Sequence, residues 1–262
     1  MVVHRKVCNR SVFVRVPKGD LRMTIIITMA GNGSRFQEAG YKMPKYEIEV
    51  KGKSLFEWSM DSLLGFKDPH VQYIFITRKE NHAQDFLKRK CSQYGIEKYR
   101  VIELGDCTDG QATTCMYAIP YCNKEDSIFV YNIDTYVEPY EMNLENIRGD
   151  GCIPCFKAEG THWSFVEADD MGRAIRVEEK ERISDNCSVG AYYFKTSKLY
   201  ADLYNEYYCD NQNMKQSEKY IAPLYNIMIR NKMDVRMQII NKEHVHILGT
   251  PEELRKFEEE NK

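Results

Sequence analysis

Apolar runs alternate with longer amphipathic stretches through the first half of the chain. Thr24–Met29 (TIIITM) is a β-branched run, typical of a strand that is buried on both faces of a sheet. Ser54–Leu64 opens with Ser-x-x-Glu and continues with apolar residues at helical spacing, which predicts a helix with a capping box. The same alternation predicts strands over Val71–Thr77, Val101–Leu104 and Ser127–Ile133, and helices over Asn81–Tyr94 and Gln111–Ile119. This order of elements indicates a mostly parallel sheet with helices on both faces.

Short strands dominate the chain after about residue 150. The pattern predicts strands over Gly151–Phe156, Trp163–Ala168, Ala174–Val177, Val189–Phe194 and Asp234–Ile240, and helices over Lys198–Asn205, Ser217–Asn231 and Pro251–Glu260. We therefore expect an α/β fold with a mixed sheet, in which the second half of the chain carries a β-rich insertion.

Composition limits the classes of protein to which the chain can belong. It has 262 residues, of which 43% are hydrophobic and 29% charged, and this balance excludes disorder as the main state. The formal net charge is −2, so no basic field indicates nucleic acid binding. No run of about 18 apolar residues occurs, so we expect no membrane-spanning segment. Nine scattered cysteines indicate reduced thiols and a cytoplasmic location rather than a disulfide framework.

The first 22 residues carry six Lys or Arg and one Asp, a strongly basic balance. A basic arm that contacts phosphate or a membrane surface is one interpretation. Because Met23 stands directly before the first strong strand and no targeting pattern precedes it, we expect residues 1–22 to be a disordered or non-native extension. Residues 23–262 are then expected to form a single domain.

The segment that follows the first strand, Ala30–Arg35 (AGNGSR), combines two glycines with an arginine. Ligands of parallel sheets lie at the carboxyl ends of strands, and glycines let backbone N–H groups approach a phosphate closely. The dinucleotide pattern Gly-x-Gly-x-x-Gly fails, because its third glycine would fall at Phe36. Arg35 offers a rigid fork of donors, and Lys45, which follows Pro44, adds a second cation. We interpret this combination as a cradle for a triphosphate.

Met29–Arg35 (MAGNGSR), followed by Pro44-Lys45, resembles the signature of the sugar-phosphate nucleotidyltransferases, or nucleotide-sugar pyrophosphorylases. The resemblance extends over about residues 23–255. It implies a Rossmann-like three-layer sandwich related to the GT-A glycosyltransferases, with a mostly parallel mixed sheet and the β-rich insertion on the substrate side. It also implies transfer of a nucleotidyl group from a nucleoside triphosphate to a sugar 1-phosphate, with release of pyrophosphate. The nucleotide would be bound by Met29, Ala30, Gly31, Asn32, Gly33, Ser34 and Arg35, with Lys45 beside the reacting phosphates.

Asp134 follows the last apolar strand of the first half and matches the family's metal aspartate in position. Mg²⁺ prefers few carboxylates together with phosphate oxygens, so Asp134 is the candidate metal ligand. Asn132, two residues earlier, would point to the same side of the strand. The resemblance also implies a late acid just before Gly249-Thr250, but Ile247 stands there and leaves the second ligand open. His246 is a poor alternative, because imidazole is a weak ligand for Mg²⁺.

Val177–Lys180 (VEEK) resembles the family's Glu-Lys pair, whose lysine binds the acceptor phosphate; the alternative is a solvated charged turn. We expect Glu179 and Lys180 to bind the acceptor. Gly190 would let a sugar approach the backbone.

Asp109–Ala112 (DGQA) falls where the family has its base-reading loop, so Gly110 and Gln111 are expected to contact the nucleotide. Gln111 replaces the usual threonine, which leaves the base open. A helix N-terminus capped by Asp109 would fit the same residues.

The leading hypothesis is a Mg²⁺-dependent nucleotidyltransferase. Arg35 and Lys45 would neutralise phosphate charge, Asp134 would hold the metal, and Lys180 would orient the acceptor. The expected product is an activated NDP-sugar for surface polysaccharide synthesis. The expected partners are a nucleoside triphosphate and a phosphorylated small molecule, without nucleic acid or membrane. The oligomeric state stays open, a homo-oligomer included.

Three other functions stay open at this point. A cytidylyltransferase acting on a phosphocholine-like or polyol phosphate would need only a different acceptor pocket. A GT-A glycosyltransferase would need an Asp-x-Asp metal pair, of which Asn132-Ile-Asp134 gives half. The missing late acid also leaves room for a regulatory nucleotide-binding module.

Overall fold

The computed structural model describes residues 22–208 and 217–260, so the expectation for the N-terminal extension lies, apart from Arg22, outside the described residues. The helices are α1 (Ser34–Glu38), α2 (Leu55–Asp61), α3 (Gln84–Tyr94), α4 (Gln111–Met116), α5 (Ser197–Tyr208), α6 (Leu224–Arg230) and α7 (Pro251–Glu259). The strands are β1 (Met23–Thr28), β2 (Glu49–Val50), β3 (Lys53–Ser54), β4 (Val71–Arg78), β5 (Tyr99–Leu104), β6 (Ser127–Asn132), β7 (Thr135–Val137), β8 (Gly151–Lys157), β9 (Ser164–Ala168), β10 (Ala174–Glu179), β11 (Asn186–Ser188), β12 (Ala191–Phe194), β13 (Val235–Ile239) and β14 (Val245–Ile247).

One mixed ten-stranded sheet organises the described residues. Its strands run in the order β10-β9-β11-β8-β12-β6-β1-β4-β5, and β13 pairs with β8. The neighbours β6, β1, β4 and β5 are parallel, whereas β12, β8, β11, β9 and β10 pair antiparallel along the rest of the order. The predicted α/β fold is confirmed, with parallel strands in its core and the β-rich second half as its antiparallel part.

Helices cover both faces of the sheet and make it the middle of three layers. Ile25 and Ile27 of β1 point into one core cluster, and Ile26 points into the other, because successive side chains of a strand alternate in direction. Helices α2 and α3 pack on the first cluster, and α4, α5 and α6 pack on the second. Both faces of β1 are therefore buried, as its apolar run predicts.

The predicted capping box at the start of α2 is confirmed. The Ser54 hydroxyl accepts a hydrogen bond from the Glu57 amide, and Glu57 Oε2 accepts one from the Ser54 amide at 2.8 Å. Lys90 Nζ lies 2.8 Å from the same oxygen, and Gln93 donates to Oε1 at 3.1 Å. Because Lys90 and Gln93 belong to α3, one buried carboxylate ties the two helices together.

The prediction of a helix over Ser217–Asn231 is wrong for its first half, since α6 begins only at Leu224. The Lys219 amide donates to the Asp109 carbonyl at 2.7 Å, and the Ala112 amide donates to the Lys219 carbonyl at 2.9 Å. These bonds commit the backbone around Lys219 to the loop before α4, so it is not available for helical hydrogen bonds.

A two-stranded ribbon returns the end of the chain to the carboxyl end of β6. Strand β14 pairs antiparallel with β7, with Ile247 opposite Thr135. Helix α7 follows and packs Leu254 and Phe257 into a small third cluster with Phe36 of α1. The glycine loop, the turn after β6 and the start of α7 thus lie in one region.

No helix among the described residues is long and apolar enough to cross a membrane. The cysteines within the described ranges are free thiols, as the scattered spacing predicts: Cys91, Cys107, Cys115, Cys122, Cys152, Cys155 and Cys187.

Candidate active site

The glycine loop leaves the sheet at the carboxyl end of β1. Met29 and Ala30 are buried, so any contribution of these two residues to a ligand comes from their backbone. Gly33 has a φ of 61° and forms the left-handed N-cap of α1, a conformation that favours glycine. A Cβ on Gly33 would lie 3.5 Å from Lys45 Cβ, so the loop packs directly against that lysine.

Lys45 and Asp134 form an ion pair across the fold. Lys45 Nζ lies 2.5 Å from Asp134 Oδ2, and the two side chains are 17% and 33% exposed. Lys45 follows Pro44 at the start of a short 3₁₀ turn, and Asp134 lies two residues beyond β6. The two residues are 89 positions apart in sequence, and the structure brings this predicted pair together.

The segment after β14 lies against Asp134. The Leu248 amide donates a hydrogen bond to the Asp134 carbonyl at 2.8 Å. A Cβ on Gly249 would lie 3.4 Å from Asp134 Oδ2 and 3.3 Å from Glu253 Oε2. A second carboxylate, which the sequence interpretation missed, therefore faces the same point as the predicted metal aspartate.

Asn32 holds the glycine loop to the neighbouring strands. Its Oδ1 accepts hydrogen bonds from Arg78 Nη1, at the end of β4, and from Cys107 Sγ, which lies 2.7 Å away. Arg35 and Ser34 are exposed on α1, and the side chain of Arg35 makes no hydrogen bond or ion pair with a described residue. The guanidinium of Arg35 is thus free to meet an anion from solution.

A pocket lies beside this ion pair, between the parallel and antiparallel parts of the sheet. Its lining is formed by Gln111, Asn132, Thr135, His162, Trp163, Ser164, Glu179, Ser188, Val189, Gly190, Tyr192 and Tyr220. Asn132 and Thr135 flank Asp134 in sequence, so the turn after β6 belongs to both the pocket and the ion pair. The pocket contains Gln111, Glu179 and Gly190 of the residues predicted from sequence.

Glu179 is a buried carboxylate in the pocket wall. It is 8% exposed and accepts a hydrogen bond from Ser164 Oγ, which also lies 2.9 Å from the Tyr192 hydroxyl. Burial raises the pKa of the Glu179 carboxyl above its ordinary value, and the hydrogen bond from Ser164 opposes that shift. The pocket wall therefore offers a hydrogen-bond acceptor in the Glu179 carboxylate and hydroxyl donors in Ser164 and Tyr192.

Lys180 lies at the rim of the pocket in an uncommon backbone conformation, with a φ of 57°. Its Nζ hydrogen-bonds the Tyr220 hydroxyl and lies 4.6 Å from the centre of that ring. Glu218 is 3.8 Å from the same ammonium. Non-glycine residues held at positive φ cluster at functional sites, so the conformation is consistent with a binding role.

Gly190 is in contact with a protein side chain. It has a φ of 80°, and a Cβ at this position would lie 2.0 Å from Asn132 Nδ2. The Asn132 amide donates to Thr135 Oγ1 at 3.2 Å. Gly190 therefore makes room for Asn132 in the pocket wall.

Of the two residues predicted to contact the nucleotide, Gln111 lines the pocket, whereas Gly110 packs against the backbone of Lys219. A Cβ on Gly110, which has a φ of 144°, would lie 2.3 Å from the Lys219 carbonyl oxygen, so close backbone packing alone requires glycine there. Gln111 lines the pocket and donates to Thr28 Oγ1 at 3.0 Å. Its side chain joins the end of β1 to the start of α4.

Ile247 and His246 both serve the packing of the C-terminal region. Ile247 packs against the first core cluster, and the His246 ring stacks on Tyr136 with centroids 5.3 Å apart.

No group of three or more His, Cys, Asp or Glu side chains suited to a metal occurs within the described ranges. Mg²⁺ needs only one or two protein carboxylates beside substrate phosphates. The oxygen donors at Asp134, with a buried carboxylate oxygen facing them, fit such an ion.

The sheet order and the strand-edge site define the class of protein, an α/β protein with the nucleotidyltransferase fold. The chain is 34% identical to a nucleoside-diphosphate-sugar pyrophosphorylase from Vibrio cholerae RC9, with a TM-score of 0.83, over 89% of this chain and 99% of that one. At this identity and coverage, the chain belongs to the nucleotide-sugar pyrophosphorylase family.

Two more distant structures share the fold alone. An inositol-1-phosphate CTP transferase from T. maritima is 16% identical with a TM-score of 0.68, covering 92% of this chain and 98% of that one. A CTP:phosphocholine cytidylyltransferase from Streptococcus pneumoniae is 15% identical with a TM-score of 0.68, covering 91% and 99%. No protein-family model matches the sequence, and curated proteins give no significant match.

Sequence interpretation missed Glu253 and Tyr220 for different reasons. Glu253 lies in the Ser/Thr-x-x-Glu pattern of a capping box, which hides any other role of the acid. Tyr220 falls in the segment that was predicted to be helical, where a tyrosine has no link to the pocket.

Proposed function

We propose that this protein transfers a nucleoside monophosphate from a nucleoside triphosphate to a sugar 1-phosphate and releases pyrophosphate. An oxygen of the acceptor phosphate attacks the α-phosphorus, a new P–O bond forms, and the bond from the α-phosphorus to the bridging oxygen of pyrophosphate breaks. No covalent intermediate on the protein is needed, so positioning and charge neutralisation supply the catalysis.

The observation that carries the proposal is the Lys45–Asp134 ion pair beside the glycine loop and the pocket. Lys45 and the exposed Arg35 would neutralise the triphosphate and the leaving pyrophosphate. Lys180 at the rim of the pocket would hold the acceptor phosphate. Asp134 would hold Mg²⁺, which, when bound, offsets negative charge on the phosphates.

Aromatic side chains and a buried carboxylate in the pocket also fit a second class of acceptor. Trp163 can stack on a sugar ring, and the Tyr192 hydroxyl and the Glu179 carboxylate can bind its hydroxyls, but an aromatic face beside an acid also attracts a quaternary ammonium. A cytidylyltransferase acting on a phosphocholine-like or polyol phosphate is therefore the second candidate. Cytoplasmic synthesis of surface polysaccharide precursors is the role that we propose for the sugar-phosphate activity.

The decisive experiment measures pyrophosphate release with ATP, CTP, GTP, UTP and dTTP, each against a panel of sugar 1-phosphates, polyol phosphates and phosphocholine. We expect release with one nucleotide and one acceptor class only. Asp134→Ala, Arg35→Ala and Lys180→Ala should each remain folded and lose about 10²–10³-fold in rate. Sugar transfer from an NDP-sugar without pyrophosphate release would indicate a glycosyltransferase, and nucleotide binding without turnover would indicate a regulatory module.

A further inference from the structure

We propose that Glu253 supplies the second carboxylate of the metal site, beside Asp134, at the start of α7. The inference rests on the proposed function, since the ion concerned is the Mg²⁺ of nucleotidyl transfer. It assigns the second ligand to a residue on α7, whereas the expected position on β14 is occupied by Ile247.

At the start of α7, only one of the two hydrogen bonds of a capping box is formed, and this distinguishes Glu253 from the acid of a complete capping box. The Thr250 hydroxyl accepts a hydrogen bond from the Glu253 amide at 3.2 Å, as a cap should. In the equivalent box of α2, the acid of the pattern bonds back to the backbone of its N-cap. Glu253 does not, and its Oε2 is buried without a hydrogen-bond partner among the described residues.

A buried carboxylate oxygen without a partner is costly, so this one calls for a partner from outside the chain. Glu253 Oε2 and Asp134 Oδ2 lie 3.3 and 3.4 Å from one point, the place where a side-chain carbon of Gly249 would stand. Glycine at that position leaves the space between the two oxygens open. The hydrogen bond from the Leu248 amide to Asp134 holds the segment in this position.

The charge balance of the cluster favours a cation. The ammonium of Lys45 compensates one carboxylate, so one negative charge of the Asp134 and Glu253 pair stays uncompensated among these three side chains. Two carboxylates that share an ion with substrate phosphates are the usual protein contribution to a Mg²⁺ site. Strand β14 consists of Val245, His246 and Ile247, so it presents no acid to this region, and Ile247 packs against the first core cluster.

The test is a Mn²⁺ titration, followed by electron paramagnetic resonance, of the wild-type protein, Glu253→Gln and Asp134→Asn. Glu252→Gln is the matched control, because Glu252 lies in the same helical turn, is exposed, and pairs with Lys256. We expect Glu253→Gln and Asp134→Asn to bind Mn²⁺ at least about tenfold more weakly and Glu252→Gln to bind it as the wild type does.

Wild-type affinity in Glu253→Gln would overturn the inference. If Asp134→Asn alone lost the ion, the proposed function would stand without Glu253. If neither variant lost it, the metal assignment of the proposed function would fail as well.

Thermal unfolding separates a metal role from a structural one. Without metal, Glu253→Gln should unfold at or above the wild-type Tm, because the substitution removes negative charge from a buried oxygen that has no hydrogen-bond partner among the described residues. Its Tm should rise less than that of the wild type when Mn²⁺ is added. A lower Tm together with unchanged Mn²⁺ affinity would show that Glu253 only supports the helix. As a second variant, Gly249→Ala places a methyl group between the carboxylates and should weaken Mn²⁺ binding in a folded protein.

Discussion

At the scale of single residues, Lys45 has the strongest structural support for a role in the proposed reaction. Its ammonium lies on the Asp134 carboxylate and packs behind the glycine loop, so a cation is already positioned where the proposed triphosphate would bind. Most of the side chain is buried, which restricts its motion and weakens solvent screening of its charge. A preorganised charge of this kind stabilises a transition state without further reorganisation.

Lys45→Ala is therefore expected to lower kcat for pyrophosphate release by about 10²–10³-fold, because the cation that neutralises negative charge on the reacting phosphates would be lost. Lys42→Ala, an exposed lysine in the same segment, is the control and should keep wild-type kcat. Similar rates for the two variants would contradict a catalytic role for Lys45.

Gly190→Ala should raise the KM for the acceptor about tenfold, because the new methyl group would displace the Asn132 amide from the pocket wall. Gly40→Ala is the control for backbone strain, since Gly40 has a φ of 91° with open space around it. Both variants should lose about 1–3 kcal/mol of unfolding free energy in urea titrations. An unchanged acceptor KM in Gly190→Ala would show that the position of Asn132 is unimportant for binding.

At the scale of elements, the pair of helices α2 and α3 depends on one carboxylate. Burial alone would raise the pKa of Glu57, but hydrogen bonds from Lys90, Ser54 and Gln93 lower it to about 2. Because the folded-state pKa lies below the ordinary value of about 4.3, the ionised form stabilises the fold above that value. The stabilisation is lost as the pH falls toward 2.

Glu57→Gln should be less stable than the wild type at pH 7, by about 2–3 kcal/mol, and the difference should shrink between pH 5 and pH 2. Urea unfolding across this pH range measures the effect. Glu38→Gln, at an exposed position of α1, serves as the control and should keep the wild-type pH profile. A constant difference between Glu57→Gln and the wild type at every pH would mean that the charge of Glu57 does not stabilise the helices.

Local signals explain which elements could be predicted from sequence. The apolar run of β1 and the capping box of α2 each predict their element from a few neighbouring residues. The segment before α6 could not be predicted, because its backbone bonds with the Asp109 loop more than 100 positions away. Strands β7 and β14 have three residues each, too few for a period to emerge.

The candidate site divides in the same way. Lys45 and Asp134 could be placed from a resemblance in sequence, since each follows a recognisable element. Gln111, Glu179 and Gly190 of the pocket wall could be predicted in the same way. Tyr192, Tyr220 and Ser164 could not, because they come from separate segments that only the folded chain brings together. Glu253 was hidden because its motif already has a structural explanation.

On the scale of the whole molecule, the two parts of the sheet divide the proposed substrates between them. The glycine loop extends from the parallel part, whereas β9, β10 and β12 of the antiparallel part form much of the pocket wall. The end of β6 joins the two. Binding of each substrate should therefore be separable by substitution, and both substrates should be bound together before reaction.

Trp163→Ala is expected to raise the KM for the acceptor at least about tenfold while leaving the KM for the nucleotide unchanged, because it removes an aromatic wall from one subsite only. Arg35→Ala should show the reverse pattern. Initial-rate kinetics over both substrates measure the split, and the lines should intersect as a ternary complex requires. Parallel lines, or equal effects of Trp163→Ala on both substrates, would contradict the division.

The wall of the pocket also contains a natural spectroscopic reporter. The chain has only two tryptophans, and Trp58 packs against Phe257 under α7 while Trp163 lines the pocket. In a Trp58→Phe background, Trp163 would be the sole indole emitter, and its fluorescence would respond to whatever enters the cleft. A library of phosphorylated metabolites can thus be screened by emission alone, before the matching nucleotide is known.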